Sequence, residues 1–336
     1  MYRYRSYMDM SLAVWRAIPN IGRTFDLVVG VPRSGIVPAA MLAQWLDCRL
    51  ASLDLFLMGK MGANGSVRFK HSETETLEGI HSVLIVDDSL SSGGTMSLIR
   101  KRIGDVGIAE KYGLEIRYAA VFVQPGEENQ VDYAFEICEQ PRLFQWNILN
   151  HPRFPDFCLD IDGVVCRDPT ENENDDGAVY RQFIKQVPAR FRAHYEIGAF
   201  VSSRLEKYRS LTEEWLRRHG FKFRALHLLN LKTKEERLRL GCHASFKADV
   251  YSRLPQNLFI ESDLRQAEEI HRRTGKDVFC TEDMSFWPRA SSAWQMEKRM
   301  LCDRIAQLEN SRSYRIGRML TSPWRLAKRV SEVFRG

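Results

Sequence analysis

No stretch of this sequence reaches the roughly 18 consecutive apolar residues of a membrane span, so an integral membrane protein is not expected. The opening MYRYRSYMDMSLAVW lacks the apolar centre of a secretion signal, which points to a cytoplasmic protein, soluble or peripheral. Cysteine pairing is also missing. Cys48, Cys138, Cys158, Cys166, Cys242, Cys280 and Cys302 form no C-x-x-C pair and no regular framework, which excludes a disulfide scaffold and a cysteine-held metal. Net charge is small at +6, and it is local: from Arg312 onward seven basic residues face the single Glu332. The rest is near neutral, which argues against a nucleic-acid-binding body, and no nucleic-acid partner is expected.

What is present is enough chain, 336 residues with 44% hydrophobic content, for two cores and an appendage. FDLVVGVPRSG reads as a buried strand entering a tight loop, and SVLIVDD and IRYAAVFVQP as further strands, with GIVPAAMLAQWL and TMSLIRKRIGD as helices between them. Strands alternating with helices predict a parallel sheet whose ligands lie beyond the carboxyl ends of the strands. The Gly-rich, charged segment 58–78 has no period and reads as a lid or insertion. CEQPRLFQWNILNHPRFPDF, with three prolines, reads as a linker, after which FCLDIDGVV, IGAFVSSR, YRSLTEEWLRRHG and NLFIESD begin a second α/β series. Beyond about Ser291, Trp294, Leu301, Ile305 and Leu308 fall near heptad spacing before the basic tail. The expected domains are 1–150, 151–288 and a helical basic tail at 289–336.

Two stretches share an outline of apolar run, paired carboxylates and small-residue turn. In VLIVDDSLSSGGT the strand delivers Asp87 and Asp88 to a turn made of Ser91, Ser92, Gly93, Gly94 and Thr95. Glycines admit an anion close to the backbone, helix-start amides point at it, and hydroxyls add donors, so this is a phosphate cradle beside two acids. The stretch resembles the signature of type I phosphoribosyltransferases, and GVPRSGIVPA resembles their pyrophosphate loop, over roughly residues 20–140. The resemblance implies that phosphoribosyl pyrophosphate binds with Mg2+. Asp87 and Asp88 would hold the ribose hydroxyls, Ser91 to Thr95 the 5-phosphate, and Arg33, Ser34 and Gly35 the leaving pyrophosphate. Purine-using members carry an acid, their general base, where this chain has Ser91. Lys60, Arg68, Lys70 and His71 lie in the lid, either as solvated charges or as pyrophosphate contacts on closure.

In FCLDIDGVV, Asp160 and Asp162 sit two apart at a strand end, a spacing suited to a nucleophile and an acid acting on a phosphoryl group. With Ser202, Lys247, Glu261 and Asp263 they resemble, in order, the four motifs of haloacid dehalogenase-like phosphatases over about residues 154–283. That resemblance implies Mg2+ held by Asp160, Asp162, Glu261 and Asp263, Glu261 as the principal side-chain choice over Asp263, and substrate phosphate met by Ser202 and Lys247. Lys232 and Lys234 remain rivals for the lysine role. Asp168, Glu171, Glu173, Asp175 and Asp176 read as a solvated insertion, and no large cap is evident, which implies an open phosphatase mouth.

The expected architecture is therefore α/β, with two parallel-sheet Rossmann-like domains, phosphoribosyltransferase then haloacid dehalogenase-like. A transferase that leaves a 5-phosphate, fused to a phosphatase, implies transfer of phosphoribosyl to a glycan acceptor and removal of the phosphate to leave β-ribofuranose. Such fusions resemble enzymes of bacterial surface polysaccharide assembly. Aromatic and aliphatic residues interleave with the tail arginines, which suits a segment resting on an anionic membrane beside a lipid-linked acceptor. The alternative enzyme is an orotate-type or purine phosphoribosyltransferase with an attached metabolite phosphatase. A sensor that binds phosphoribosyl pyrophosphate without turning it over is the reading from another class.

Overall fold

The computed structural model describes residues 2–22, 24–62 and 76–289. The lid residues Arg68, Lys70 and His71, and the tail beyond 289 with its heptad-like and basic stretches, lie outside the described residues.

The first α/β unit runs β1 (Arg3–Arg5), α1 (Tyr7–Ile21), β2 (Leu27–Gly30), α2 (Ile36–Trp45), β3 (Arg49–Ser52), α3 (Leu53–Leu57), β4 (Ser82–Leu90), α4 (Gly94–Val106), α5 (Ile108–Tyr112), β5 (Glu115–Val123), β6 (Tyr133–Ile137) and β7 (Arg142–Phe144). Five of these strands form a parallel sheet in the order β3-β2-β4-β5-β6. β4 is its centre. Val83 to Val86 are buried without a polar alternation, as a strand covered by helices on both faces requires. The chain turns one way from β2 to β3 and the other way from β4 to β5, so the crevice between the carboxyl ends of β2 and β4 is the switch point where ligands bind.

The second unit runs β8 (Phe157–Leu159), α6 (Ala178–Gln186), β9 (Ile197–Leu205), α7 (Arg209–Arg218), β10 (Phe223–Leu229), α8 (Lys234–Leu240), α9 (His243–Arg253), β11 (Leu258–Glu261), α10 (Leu264–Thr274), β12 (Asp277–Cys280) and β13 (Phe286–Trp287). Its sheet order is β10-β9-β8-β11-β12-β13, parallel except for the last pair. Here the reversal falls between β8 and β11. Asp160 follows β8 and Glu261 ends β11, so this second crevice collects the second set of acids. Helix α10 shows how locally the sequence writes such elements. Asp263 caps it by accepting from the Gln266 amide, Ala267 and Ile270 face the core, and Gly275 closes it in the left-handed region.

The supposed linker is structured. Arg142, Leu143 and Phe144 are all buried and pair with β1, while Tyr2 meets Phe157 edge-on and Tyr4 stacks on Phe286 with ring centroids 5.2 Å apart. The first residues of the chain thus tie the two units together. A three-residue strand buried on both faces has no period to read, which is why the segment looks irregular in sequence.

Candidate active sites

The first site stands at the β2/β4 crevice. Asp87 and Asp88 are buried at the carboxyl end of β4, and the Asp88 amide donates to Asp87 Oδ1 at 2.8 Å. Neither makes an ion pair with a described residue within 4.0 Å. Desolvation, then the charge of Asp88, pushes the Asp87 carboxyl up to about 8. Burial likewise raises Asp88, opposed chiefly by the Trp146 indole, whose N–H donates to Asp88 Oδ2 at 2.8 Å. Beside the pair, Gly93 takes a left-handed φ of 70° and Gly94 opens the thirteen-residue α4, which aims its free amides into the crevice. Ser91, Ser92, Gly94 and Thr95 are exposed there.

Across the crevice, the β2 loop is held against β4 by a 2.9 Å bond from the Val31 amide to the Val86 carbonyl. Gly35 is required at its end: a Cβ there would lie 2.7 Å from both the Val31 and Val86 carbonyl oxygens. This contact sets the loop bearing exposed Arg33 and half-buried Ser34 alongside the carboxylates. A wall absent from the sequence reading completes the site. Arg142, buried, donates to the Phe122 carbonyl at 2.8 Å, to the Leu90 carbonyl at 3.2 Å and to the Ser91 hydroxyl, which also accepts from Gln140 Nε2 at 3.1 Å.

The second site is built differently. Lys247, 2% exposed, donates to Asp160 at 2.6 Å, Glu261 at 2.7 Å and Gln266 at 2.9 Å. Burial alone would lower the pKa of this lysine, but the charges of Asp160 and Glu261 outweigh burial and raise it, so the ammonium is retained. Burial raises Glu261 to about 7, with Lys247 opposing and Asp160 adding. Asp162 is gripped by the buried guanidinium of Arg204, at 3.0 Å from Nε and 2.6 Å from Nη2. Gly163, at φ 79°, lets the loop pass Ser262, whose hydroxyl would lie 2.0 Å from a Cβ there.

Two cavities meet at Asp160, Asp162, Asp168 and Gln266. One, of about 180 Å³, reaches under Pro169 and Asn174 to Ser202, Ser203, Arg237 and His243. The other, of about 500 Å³, opens past Arg190, Ser262, Asp263 and Glu282. Of the acids in the insertion, Asp168 lines both cavities. Asp176 is fixed by Lys207 at 2.8 Å and the Tyr208 hydroxyl at 2.8 Å, and Asp175 caps the start of α6. Asp176 has partners distant in sequence, whereas Glu171 and Asp175 are exposed as expected.

The structure brings Asp160, Asp162, Ser202 and Lys247 together and separates Lys247 from its rivals: Lys234 bonds the Asn174 carbonyl, and Lys232 is exposed. Glu261 contacts Lys247 and the Ser262 and Asp263 amides, whereas Asp263 is exposed and spends its carboxylate on the α10 cap. Arg204, Arg237, Arg142 and Trp146 are the residues the sequence reading missed. Only Arg204, two residues past Ser202 on the same strand face, left a periodic trace.

The described residues contain no group of three or more His, Cys, Asp or Glu arranged to hold a metal ion. At the first site, however, two buried acids without a cation suit a divalent ion or a polyol. At the second, Lys247 and Arg204 already occupy the carboxylates, so the arrangement does not fit an added metal.

The Phosphoribosyl transferase domain family matches residues 6–151, less than half of the chain, and this part is similar to purine phosphoribosyltransferases. Xanthine-guanine phosphoribosyltransferase of Nitratidesulfovibrio vulgaris (strain DP4) is 26% identical over 144 residues, covering 42% of this chain and 79% of the relative. The enzyme of the same name from Cereibacter sphaeroides is 26% identical over 143 residues, covering 41% and 79%. Among solved structures, the Helicobacter pylori xanthine-guanine-hypoxanthine phosphoribosyltransferase aligns at 17% identity and a TM-score of 0.32, over 44% of this chain and 93% of its own. The family match ends before Asp160. Among the described residues no helix is long and apolar enough to cross a membrane.

Proposed function

We propose that residues 6–151 transfer the 5-phosphoribosyl group of phosphoribosyl pyrophosphate to a nucleobase of the purine class, and that residues 152–288 hydrolyse a phosphomonoester. The names of the relatives support the purine acceptor. The observation that carries the transfer reading is the buried, cation-free Asp87–Asp88 pair beside the start of α4. Asp87 and Asp88 hold the ribose 2- and 3-hydroxyls, and the amides and hydroxyls of Ser91 to Thr95 hold the 5-phosphate. Mg2+, where bound with the donor, neutralises charge on the pyrophosphate. Arg33 and Ser34 meet that leaving group as the C1–O bond breaks and the acceptor nitrogen forms the new bond to C1, its proton passing to water.

At the second site Asp160 is the nucleophile toward phosphorus, with Ser202 and Lys247 around the phosphoryl oxygens. Asp162 passes a proton, to the leaving oxygen in the first half-reaction and from the attacking water in the second. The Arg204 fork orients it and pairs with its ionised form, so the donor half of that role needs the fork to loosen.

A second reading has its own observation. Ser91 stands where purine-using members carry their acid, and its hydroxyl is already engaged by Arg142 and Gln140, which leaves no general base for a nucleobase. A glycan hydroxyl as acceptor, followed by removal of the 5-phosphate at Asp160 to leave ribofuranose, would give both sites one substrate. This reading places the chain at the inner face of the cytoplasmic membrane, with residues 312–336 against it. Pyrophosphate release from the donor, measured with guanine, xanthine, hypoxanthine, orotate and oligosaccharide acceptors, tests both. Release with a purine supports the first reading, release only with a glycan selects the second, and release with none overturns phosphoribosyl transfer.

A further inference from the structure

We infer that Arg237 and Ser203 are the recognition pair of the second site, binding the dianionic end of a hydroxyl-rich, sugar-like phosphomonoester in the smaller cavity. The inference rests on the phosphomonoester reading of that site.

Three cationic side chains line the 180 Å³ cavity, and two are already spent. Lys247 is committed to Asp160 and Glu261, and Arg204 to Asp162. Arg237 is 8% exposed, and among the described residues its side chain makes one hydrogen bond, from Nη1 to the Ser203 carbonyl at 2.9 Å, with no carboxylate partner. Its Nε is buried with no hydrogen-bond partner among the described residues. The Ser203 hydroxyl, also 8% exposed, is in the same condition. Ser203 and Arg237 both line the cavity, and a buried guanidinium without a carboxylate partner among the described residues is costly unless water or an anionic ligand meets it there.

The ligand they would complete is an oxyanion. A phosphate dianion beside Asp160 brings like charges together and needs a cation not already neutralised by the protein; Arg237 is that cation. His243, on the same wall, is shifted down by burial and by the charges of Arg237 and Lys247. The small cavity suits a phosphoryl group and little more. The remainder of the molecule lies in the 500 Å³ cavity, whose Asp168, Asp263, Glu282 and Ser262 accept and donate hydrogen bonds as sugar hydroxyls require.

Titration calorimetry of the full chain with inorganic phosphate, alongside hydrolysis of ribose 5-phosphate, tests this. Arg237→Gln should weaken phosphate binding at least tenfold and raise KM more than it lowers kcat. Arg237→Lys should restore part of the affinity, and Ser203→Ala should cost about threefold. Circular dichroism and the thermal unfolding midpoint of the full chain report that each variant is folded. Unchanged phosphate affinity in Arg237→Gln, or no phosphate binding by the unaltered chain, overturns the inference. Arg237-dependent phosphate binding without hydrolysis of any phosphomonoester leaves the recognition pair standing and removes the phosphatase reading instead.

Discussion

The two carboxylate pairs occupy equivalent places, each at the switch point of a parallel sheet, yet their charges are managed in opposite ways. Asp160 and Asp162 each carry a buried cation, Lys247 and Arg204, at 2.6 Å. Among the described residues Asp87 and Asp88 meet an indole N–H, the Asp88 amide and, at longer range, the charge of Arg142. Both aspartates of the second site have a cationic partner before any ligand arrives, whereas the first pair has none among the described residues within 4.0 Å. That difference accounts for the pushed-up carboxyl of Asp87 and the retained ammonium of Lys247 within one chain.

Removing the second site's cation should have the largest effect. Lys247→Met strands Asp160 and Glu261 together in the core, and a cost of about 3–5 kcal/mol is expected in denaturant unfolding at neutral pH. Adding Glu261→Gln should recover part of it; no recovery would mean that the lysine's packing, not its charge, matters.

The first site should respond with the opposite sign. Asp87 binds its proton more tightly in the folded chain than in the unfolded one, so from about pH 4 to about pH 8 the folded state holds more protons and loses stability as pH rises. Asp87→Asn should therefore stabilise the ligand-free protein by on the order of 2 kcal/mol at the upper end of that window, and by little below it. Unfolding curves across that range would show it, and a destabilised variant at high pH would refute the comparison.

A smaller effect is expected from Trp146→Phe. The ring keeps its stacking surface against Phe144, whose centroid is 4.7 Å away, but the donor to Asp88 is lost. The cost should be about 1 kcal/mol, larger in alkaline than in acidic buffer because the lost bond serves the ionised carboxylate.

Much of this contrast was readable beforehand at one level and hidden at another. Asp87 and Asp88 announce themselves because the apolar run of Val83 to Val86 ends on them, and Asp160 does so after Phe157 to Leu159. Strand ends and glycine turns are local, so a linear reading finds them. The partners are not local: Lys247 lies 87 residues from Asp160, Arg204 42 from Asp162 and Trp146 58 from Asp88. Arginines at 204 and 237 look like any others among 49 basic residues until the fold buries them. The segment around Arg142 reads as a linker because its strand is three residues long and its pairing partner is the start of the chain.

The contrast itself is open to one direct measurement, a carbon-13 NMR titration of the aspartate carboxyls, with Asp87 assigned through Asp87→Asn. The account predicts that Asp87 titrates near 8 in the ligand-free chain and moves down by more than about one unit with phosphoribosyl pyrophosphate and Mg2+. An Asp87 carboxyl that titrates near its ordinary value of 3.8 without ligand, or does not move when the donor and metal are added, would contradict it.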